Sequence, residues 1–439
     1  MSKFLTFKKK IKSFNKKITI DGDKSLSIRW ALLASQATGK SRAYKLLKSE
    51  DVIDTLNCLK KLGVKVKFNK KFCEIRGQGL NSYNHKKNLI LNAGNSGTLG
   101  RLVLGLLVHS KKKIKLVGDK SLSKRDFSRV VEPLQKFGAN FFYEKKTLPI
   151  IIKGTSFSKA ISYFEKKGSA QCKSSVMLAA LNTAGKTLIK AKKSRNHTEL
   201  LFKYLKIPIS IKKNKKFDFI TIKGKQNFKS FDYNIPADIS SSAFFIVLTA
   251  LSENSKLIIK NVNVNPTRIG VIKILLKMGV RISILNKKIY KGEKTADILI
   301  KSSKNLKAIN CPSNLNSSAI DEFLIIFLIA AKSKGISYFK NLSELNQKES
   351  PRLKWGSKIL NLMGVKTVTT DHSIKIYGNT KLKINKMIKI KDYLKDHRIF
   401  MMSTIAALTC GGHWQIHDPE SIKTSFPSFL KIIKKLNQQ

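Results

Sequence analysis

LKKLGVKV (residues 59–66), LQKFGAN (134–140), LLKMGVRI (275–282) and LNLMGVKT (360–367) are four versions of one phrase. Each closes an apolar-periodic helical run on a glycine and restarts as an extended segment. A glycine just past the last helical turn suits the left-handed C-terminal cap, where other residues are strained. YLKIPISI (204–211) reads as a fifth copy, with Ile207 in place of the glycine and Pro208 as the stop. SFLKIIKKLN (428–437) supplies a sixth helix, ending near Asn437. The joints fall 75, 69, 72, 85 and 73 residues apart. Such near-regular spacing predicts six supersecondary units mixing strands and helices, and six divides naturally into two domains of three. GDKSLS at 22–27 returns at 118–123, a second mark of duplication. FDYNIPADISSSAFF (231–245) reads as a mid-chain connection, followed by an N-cap and a buried helix, which puts a boundary near 236–240.

At 439 residues the chain is long enough for two or three domains with sizeable cores. It carries 86 Lys and Arg against 27 Asp and Glu, a formal charge of +59. Eleven of the cations are arginines and 75 are lysines, scattered along the whole length. There is no basic tail and no aromatic-interleaved basic motif, so a lysine-rich solvated surface is favoured over a nucleic-acid-binding function. Such a surface still draws in anionic substrates. The cysteines, Cys58, Cys73, Cys172, Cys311 and Cys410, are far apart with no CxxC. That predicts reduced thiols in a cytoplasmic protein, with neither a disulfide framework nor a zinc site. The longest apolar runs, AFFIVLTAL (243–251) and FLIIFLIAA (323–331), are about half of a bilayer span and read as buried helices.

NAGNSGTLGRLVLGLL (92–107) sets small polar residues directly before an apolar helical run. Glycines and free amides at a helix start can cradle an anion. The same residues would equally make a turn and an N-cap. The arginines sharpen the choice, because only arginine offers a planar fork to phosphate or carboxylate. Several lie in dense polar strings: GDKSLSIR (22–29), GDKSLSKR (118–125), KSRNHTE (193–199), QKESPRL (347–353) and KDHR (395–398). Any one could be a surface ion pair of little worth. Together they point to a site for a polyanion.

With GNSGT (94–98), GSAQCKSS (168–175), NPTR (265–268), IDEF (320–323) and TSFP (424–427) added, ten strings stand in order between about residue 20 and 430. In that order they resemble the 5-enolpyruvylshikimate-3-phosphate synthase family, and SAQ-x-K with NPTR resembles its second sequence class. The resemblance implies an α/β, two-domain inside-out barrel of six βαβαββ units. It places residues 21–238 in one domain and 1–20 plus 239–439 in the other, with the substrates bound between them. It implies enolpyruvyl transfer from phosphoenolpyruvate to the 5-hydroxyl of shikimate 3-phosphate, by addition and elimination, with release of phosphate. No cofactor or metal is expected, nor a membrane or a specific nucleic acid, and a monomer is. Glyphosate would occupy the phosphoenolpyruvate site. Some insensitive second-class members carry alanine where this chain keeps Gly97, so inhibition by glyphosate is expected.

The resemblance also implies roles, string by string. Lys24, Ser25 and Arg29 would hold shikimate 3-phosphate, with Lys24 also facing phosphoenolpyruvate. Ser169, Gln171, Arg195 and Lys348 would bind shikimate 3-phosphate, Gln171 touching both substrates. Gly97, Arg125, Arg352 and Arg398 would bind phosphoenolpyruvate. Asp321 would be the base at the attacking hydroxyl, and Glu349 would give and take the proton at the methylene carbon. Lys24, Asp321 and Glu349 form the catalytic set. A carboxylate amid so much positive charge, as Glu349 is, should have a lowered pKa. Simpler roles exist: Ser25 and Ser169 could cap helices, Asp321 could serve a helix dipole, and Arg101 and Arg268 could be ion-pair partners.

Four positions depart from the family pattern. Asp126 replaces a proline, Asn196 and Pro351 each replace an aspartate, and Thr424 stands where the first class has lysine, with Lys423 one residue off. Pro351 could shift the start of a helix carrying Glu349. UDP-N-acetylglucosamine enolpyruvyl transferase is the nearest rival. Its usual loop cysteine has no counterpart here, since no cysteine lies between Cys73 and Cys172.

Overall fold

The computed structural model describes residues 3–438. Two compact units divide them. The first runs Gly22–Ile235 and takes in Tyr290–Glu293; the second takes the chain through Asp21, then Pro236–Ile289 and everything from Lys294. Each unit has its own apolar core. Among the described residues the strands form six separate sheets, three in each unit.

The repeat shows in full between residues 89 and 153. Strand Leu89–Asn92, helix Gly97–Leu107 and strand Ile114–Val117 are followed by helix Ser128–Gln135 and strands Asn140–Phe142 and Ile150–Lys153. The first two strands pair in parallel, which needs a crossover, and the intervening helix provides it. The other pairings are antiparallel. The same order recurs from Ser162–Glu165 to Phe217–Lys223. Other sheets borrow a strand from far along the chain. Tyr233–Asn234 lies parallel to Thr38–Tyr44, Asn15–Thr19 lies parallel to Lys256–Asn263, and Phe4–Phe7 lies antiparallel to His413–His417.

The joints explain the spacing. Gly63, Gly138, Gly279 and Gly364 all have positive φ, from +85° to +104°. At the first, the Gly63 N–H donates to Lys60 O at 3.0 Å and the Val64 N–H to Leu59 O at 3.0 Å, a Schellman closure. The fifth joint corrects the sequence reading. Lys206, not Ile207, takes the left-handed place, with φ 57°. Its N–H reaches Lys203 O at 3.1 Å, and the Ile207 N–H reaches Phe202 O at 2.9 Å. Ile207 therefore matches Val64, and Pro208 follows a closure already made.

Helices Ile239–Leu251 and Phe323–Ala331 are buried almost throughout. Asp238 caps the first, accepting from the Ser240 N–H at 2.7 Å. All five cysteines are buried free thiols. Among the described residues no helix is long and apolar enough to cross a membrane, and no three or more His, Cys, Asp or Glu side chains are grouped so as to hold a metal ion.

Candidate active site

In the first unit the site starts at two helix N-termini that use the same device. Asp23 Oδ1 accepts from the Leu26 N–H at 2.9 Å and opens helix Lys24–Gln36. In the repeated string, Asp119 Oδ1 accepts from the Leu122 N–H at 2.7 Å, but opens only the short turn Leu122–Lys124 before Arg125. Because Asp23 makes the cap, Ser25 is not spent on it. Lys24 Nζ lies 2.8 Å from Asp51 Oδ2. Arg29, almost buried, joins three of the strings. Its Nε donates to Thr198 Oγ1 at 2.9 Å, its Nη2 to Ser174 Oγ at 3.2 Å and its Nη1 to Ser25 O at 3.1 Å. Beside it, Lys173 and Glu199 form a buried ion pair at 2.6 Å. Arg195 stands half-buried just before helix His197–Tyr204, where Asn196 is the cap residue. His197 Nδ1 lies 2.5 Å from Glu293 Oε1, both wholly buried.

Ser96 caps helix Gly97–Leu107, accepting from the Leu99 N–H at 3.2 Å. The cap reading of that stretch is therefore real, yet it does not account for Gly97. A Cβ there would lie 2.7 Å from Arg101 Nη1 and 3.1 Å from Arg125 Nη1. Two guanidiniums thus close on one glycine. Arg101 Nη1 also donates to Gln171 Oε1 at 3.0 Å, and Gln171 Nε2 donates to Thr98 Oγ1 at 3.0 Å. Burial first, and then the Arg125 and Arg129 charges, push the Arg101 pKa down to about 10. Mutual repulsion of this kind is what a bound anion relieves. Arg125 Nη2 donates weakly to Asn95 Oδ1 and Ser121 Oγ, both at 3.4 Å. Ser169 does cap its helix, accepting from the Cys172 N–H at 3.2 Å. The substituted Asp126, one residue ahead of the Phe127 cap of helix Ser128–Gln135, accepts from the Ser128 N–H at 2.7 Å.

The second unit gathers the acid–base candidates around one guanidinium. Arg352, 2% exposed, donates from Nε to Asp396 Oδ2 at 2.8 Å and from Nη2 to Asp396 Oδ1 at 3.2 Å. Its Nη2 also pairs with Glu349, and its Nη1 lies 3.6 Å from Asp321 Oδ1. Burial opposes the charge on Arg352, but Asp396, Glu349 and Asp321 outweigh it and hold its pKa above the ordinary value. Burial likewise opposes the charge on Asp396, and Arg352 prevails, holding that carboxyl below its ordinary range. Lys348 Nζ sits 3.2 Å from Asp321 Oδ1, and Arg398 Nη1 donates to Asp321 O at 2.6 Å. Helix Arg352–Leu362 begins directly after Pro351, whose φ of −70° suits proline. Glu349 therefore lies ahead of this helix and not on its first turn. Thr424 Oγ1 meets His397 Nδ1 at 3.3 Å, and Lys423 pairs with Glu420.

The predicted residues thus fall into two constellations, one in each unit. Sequence reasoning passed over Asp51, Asp396 and the partners of Arg268. Arg268 Nη2 donates to Ser240 Oγ at 2.8 Å and lies 3.2 Å from Asp238 Oδ1, so it is an ion-pair partner. A usable signal existed: with 86 cations and only 27 carboxylates, each Asp or Glu inside a polar string is as informative as an arginine.

A sequence profile of the family described as EPSP synthase (3-phosphoshikimate 1-carboxyvinyltransferase) matches residues 8–433. The chain is 39% identical over 438 residues to a 3-phosphoshikimate 1-carboxyvinyltransferase of Ruthia magnifica subsp. Calyptogena magnifica, covering 99% of this chain and 98% of that one. It is 36% identical over 429 residues to the Petrotoga mobilis protein of the same description, covering 97% of each. It superposes on the 2.37 Å structure of EPSP synthase from Acinetobacter baumannii with a TM-score of 0.87 at 33% identity, covering 99% and 98% of the two chains. A TM-score of 0.75 at 13% identity to the enolpyruvyl transferase NikO from Streptomyces tendae shows a shared fold alone. The fold class is α/β, the two-domain inside-out barrel type of enolpyruvyl transferases.

Proposed function

The chain belongs to the EPSP synthase family, and from that premise we propose how its residues divide the reaction. The reaction itself is transfer of the enolpyruvyl group of phosphoenolpyruvate to shikimate 3-phosphate, which sets aside the UDP-N-acetylglucosamine reading. In the first unit, Lys24, Ser25, Arg29, Ser169, Gln171 and Arg195 bind shikimate 3-phosphate. Lys24, Arg125, Gln171 and the helix start at Gly97 hold phosphoenolpyruvate, where guanidinium and backbone N–H groups favour an anion. In the second unit, Lys348 holds shikimate 3-phosphate beside Asp321, and Arg352 and Arg398 clamp phosphoenolpyruvate.

The observation that supports this division is that Asp321 and Glu349 share one guanidinium, which Asp396 fixes from behind. Incoming phosphoenolpyruvate competes for the Nη edge of Arg352 and releases Glu349 from it. Once released, Glu349 takes up a proton from solvent and gives it to the methylene carbon as the 5-hydroxyl oxygen bonds to the adjacent carbon, and Asp321 takes the hydroxyl proton. In the elimination, Glu349 takes a proton back from the new methyl group, the carbon–carbon double bond re-forms, and the carbon–oxygen bond to phosphate breaks as Asp321 returns its proton to the leaving phosphate. The chain acts as a cytoplasmic monomer without metal or cofactor in this reading.

Replacing Glu349 by Gln tests the assignment. Turnover falls by about 100- to 10,000-fold while shikimate 3-phosphate binding, measured by calorimetry, is largely kept. Undiminished turnover in the variant removes Glu349 from the proton transfer.

A further inference from the structure

Helix Glu50–Lys61 carries a carboxylate that the roles above leave unused. Asp54 is half-buried one turn after Asp51, and its Oδ2 is packed against Gly94: a Cβ on Gly94 would lie 2.1 Å from it. Gly94, with φ +54°, begins the turn that leads through Asn95 and Ser96 into the helix start at Gly97. Asp54 therefore lies under the backbone that presents Gly97.

Its surroundings connect it to two of the cations already placed. On its own helix, Asp51 holds Lys24 at 2.8 Å. Across the turn, the Asp119 N–H donates to Gly94 O at 2.8 Å, and Asp119 Oδ2 accepts from Asn95 Nδ2 at 2.6 Å. Asn95 Oδ1 in turn accepts from Arg125 Nη2 at 3.4 Å. The titratable groups facing Asp54 are Glu50, Asp51 and Cys58 from its own helix and Asp119 from the turn before Arg125. Burial pushes the Cys58 thiol up to about 12, so it stays neutral. The other three are acids. An ionised Asp54 adds one more negative charge beneath a turn that has to receive an anion.

We propose that Asp54 is a positioning residue that sets the affinity for phosphoenolpyruvate through the Gly94–Gly97 turn, favouring binding when neutral and weakening it when ionised. Burial, then Asp51, Glu50 and Asp119, raise its pKa to about 6, so the change falls where the enzyme can be assayed. The inference rests on the assignment of Gly97 and Arg125 to phosphoenolpyruvate.

The test is the KM for phosphoenolpyruvate and kcat, from pH 5 to 8, for the wild type, Asp54→Asn and Asp54→Ser. The ratio of wild type to variant cancels the titration of phosphoenolpyruvate itself. The KM ratio is expected to be near one at the acid end and to rise to about two- to fivefold above pH 7, with the kcat ratio flat. The serine variant serves if asparagine fails to fold. A KM ratio that stays flat in a folded variant overturns the proposal, as does one that moves only together with kcat. Arg125→Lys run alongside separates the two levels. An unchanged phosphoenolpyruvate KM there overturns the site assignment, whereas a raised KM there with a flat Asp54 ratio overturns the role of Asp54 alone.

Discussion

Arg352 Nε and Asp396 Oδ2 lie 2.8 Å apart, with the arginine side chain 2% exposed and the aspartate wholly buried. Asp396 also accepts from the Arg398 N–H at 3.0 Å, so one carboxylate caps a helix and anchors the guanidinium that Glu349 and Asp321 share. Losing it removes the one wholly buried carboxylate on this cation and leaves Glu349 and Asp321 to hold it.

Asp396→Asn should cost about 1–3 kcal/mol of stability, since the amide keeps one acceptor and Glu349 and Asp321 still face the guanidinium. The pKa of Asp396 is lowered from 3.8, so its contribution is full above that value and is lost as pH falls through the lower, folded-state pKa. Thermal unfolding of both proteins from pH 7 down to pH 2 checks this. The gap between them should hold down to about pH 4 and shrink below it.

Gly97→Ala should raise the KM for phosphoenolpyruvate about tenfold, the equivalent of one weakened charge-assisted contact. The added methyl displaces Arg101 Nη1, 2.7 Å away, and crowds Arg125. Inhibition by glyphosate, a longer ligand that the family resemblance puts at the same site, should fall further than phosphoenolpyruvate affinity. Unchanged KM and inhibition in a folded variant would leave the stretch with the capping role of Ser96 only.

Lys173 and Glu199 pin the start of helix Ala170–Leu181 to helix His197–Tyr204, beside the Ser174 and Thr198 hydroxyls that hold Arg29. Lys173→Met or Glu199→Leu alone should destabilise by about 3–5 kcal/mol, and the double variant by clearly less than either. Chemical denaturation of the three variants checks the order. Additive losses would mean that the pair is not coupled.

The six-unit plan was legible because the left-handed cap has a residue signature. Gly63, Gly138, Gly279 and Gly364 announce their positive φ, and their spacing counts the units. Lys206 announces nothing, since a lysine at positive φ has no mark in the sequence, and Pro208 drew the joint one residue too far. For the borrowed strands the resemblance grouped residues 1–20 with the second domain, but the pairing of Asn15–Thr19 with Lys256–Asn263 is a property of the folded chain. In the site, the arginines were visible by scarcity. Four of the 11 are buried, against one of 75 lysines, Lys173. What could not be read was which carboxylate each guanidinium meets. Asp396 stood in the KDHR string, two residues before Arg398, yet its partner Arg352 is 44 residues away.

The decisive assay is release of inorganic phosphate by the purified protein from phosphoenolpyruvate and shikimate 3-phosphate. The expected result is stoichiometric phosphate and enolpyruvyl product with shikimate 3-phosphate, and none when UDP-N-acetylglucosamine replaces it. No phosphate with shikimate 3-phosphate, or equal release from phosphoenolpyruvate when the nucleotide sugar or no acceptor replaces it, would overturn this reaction.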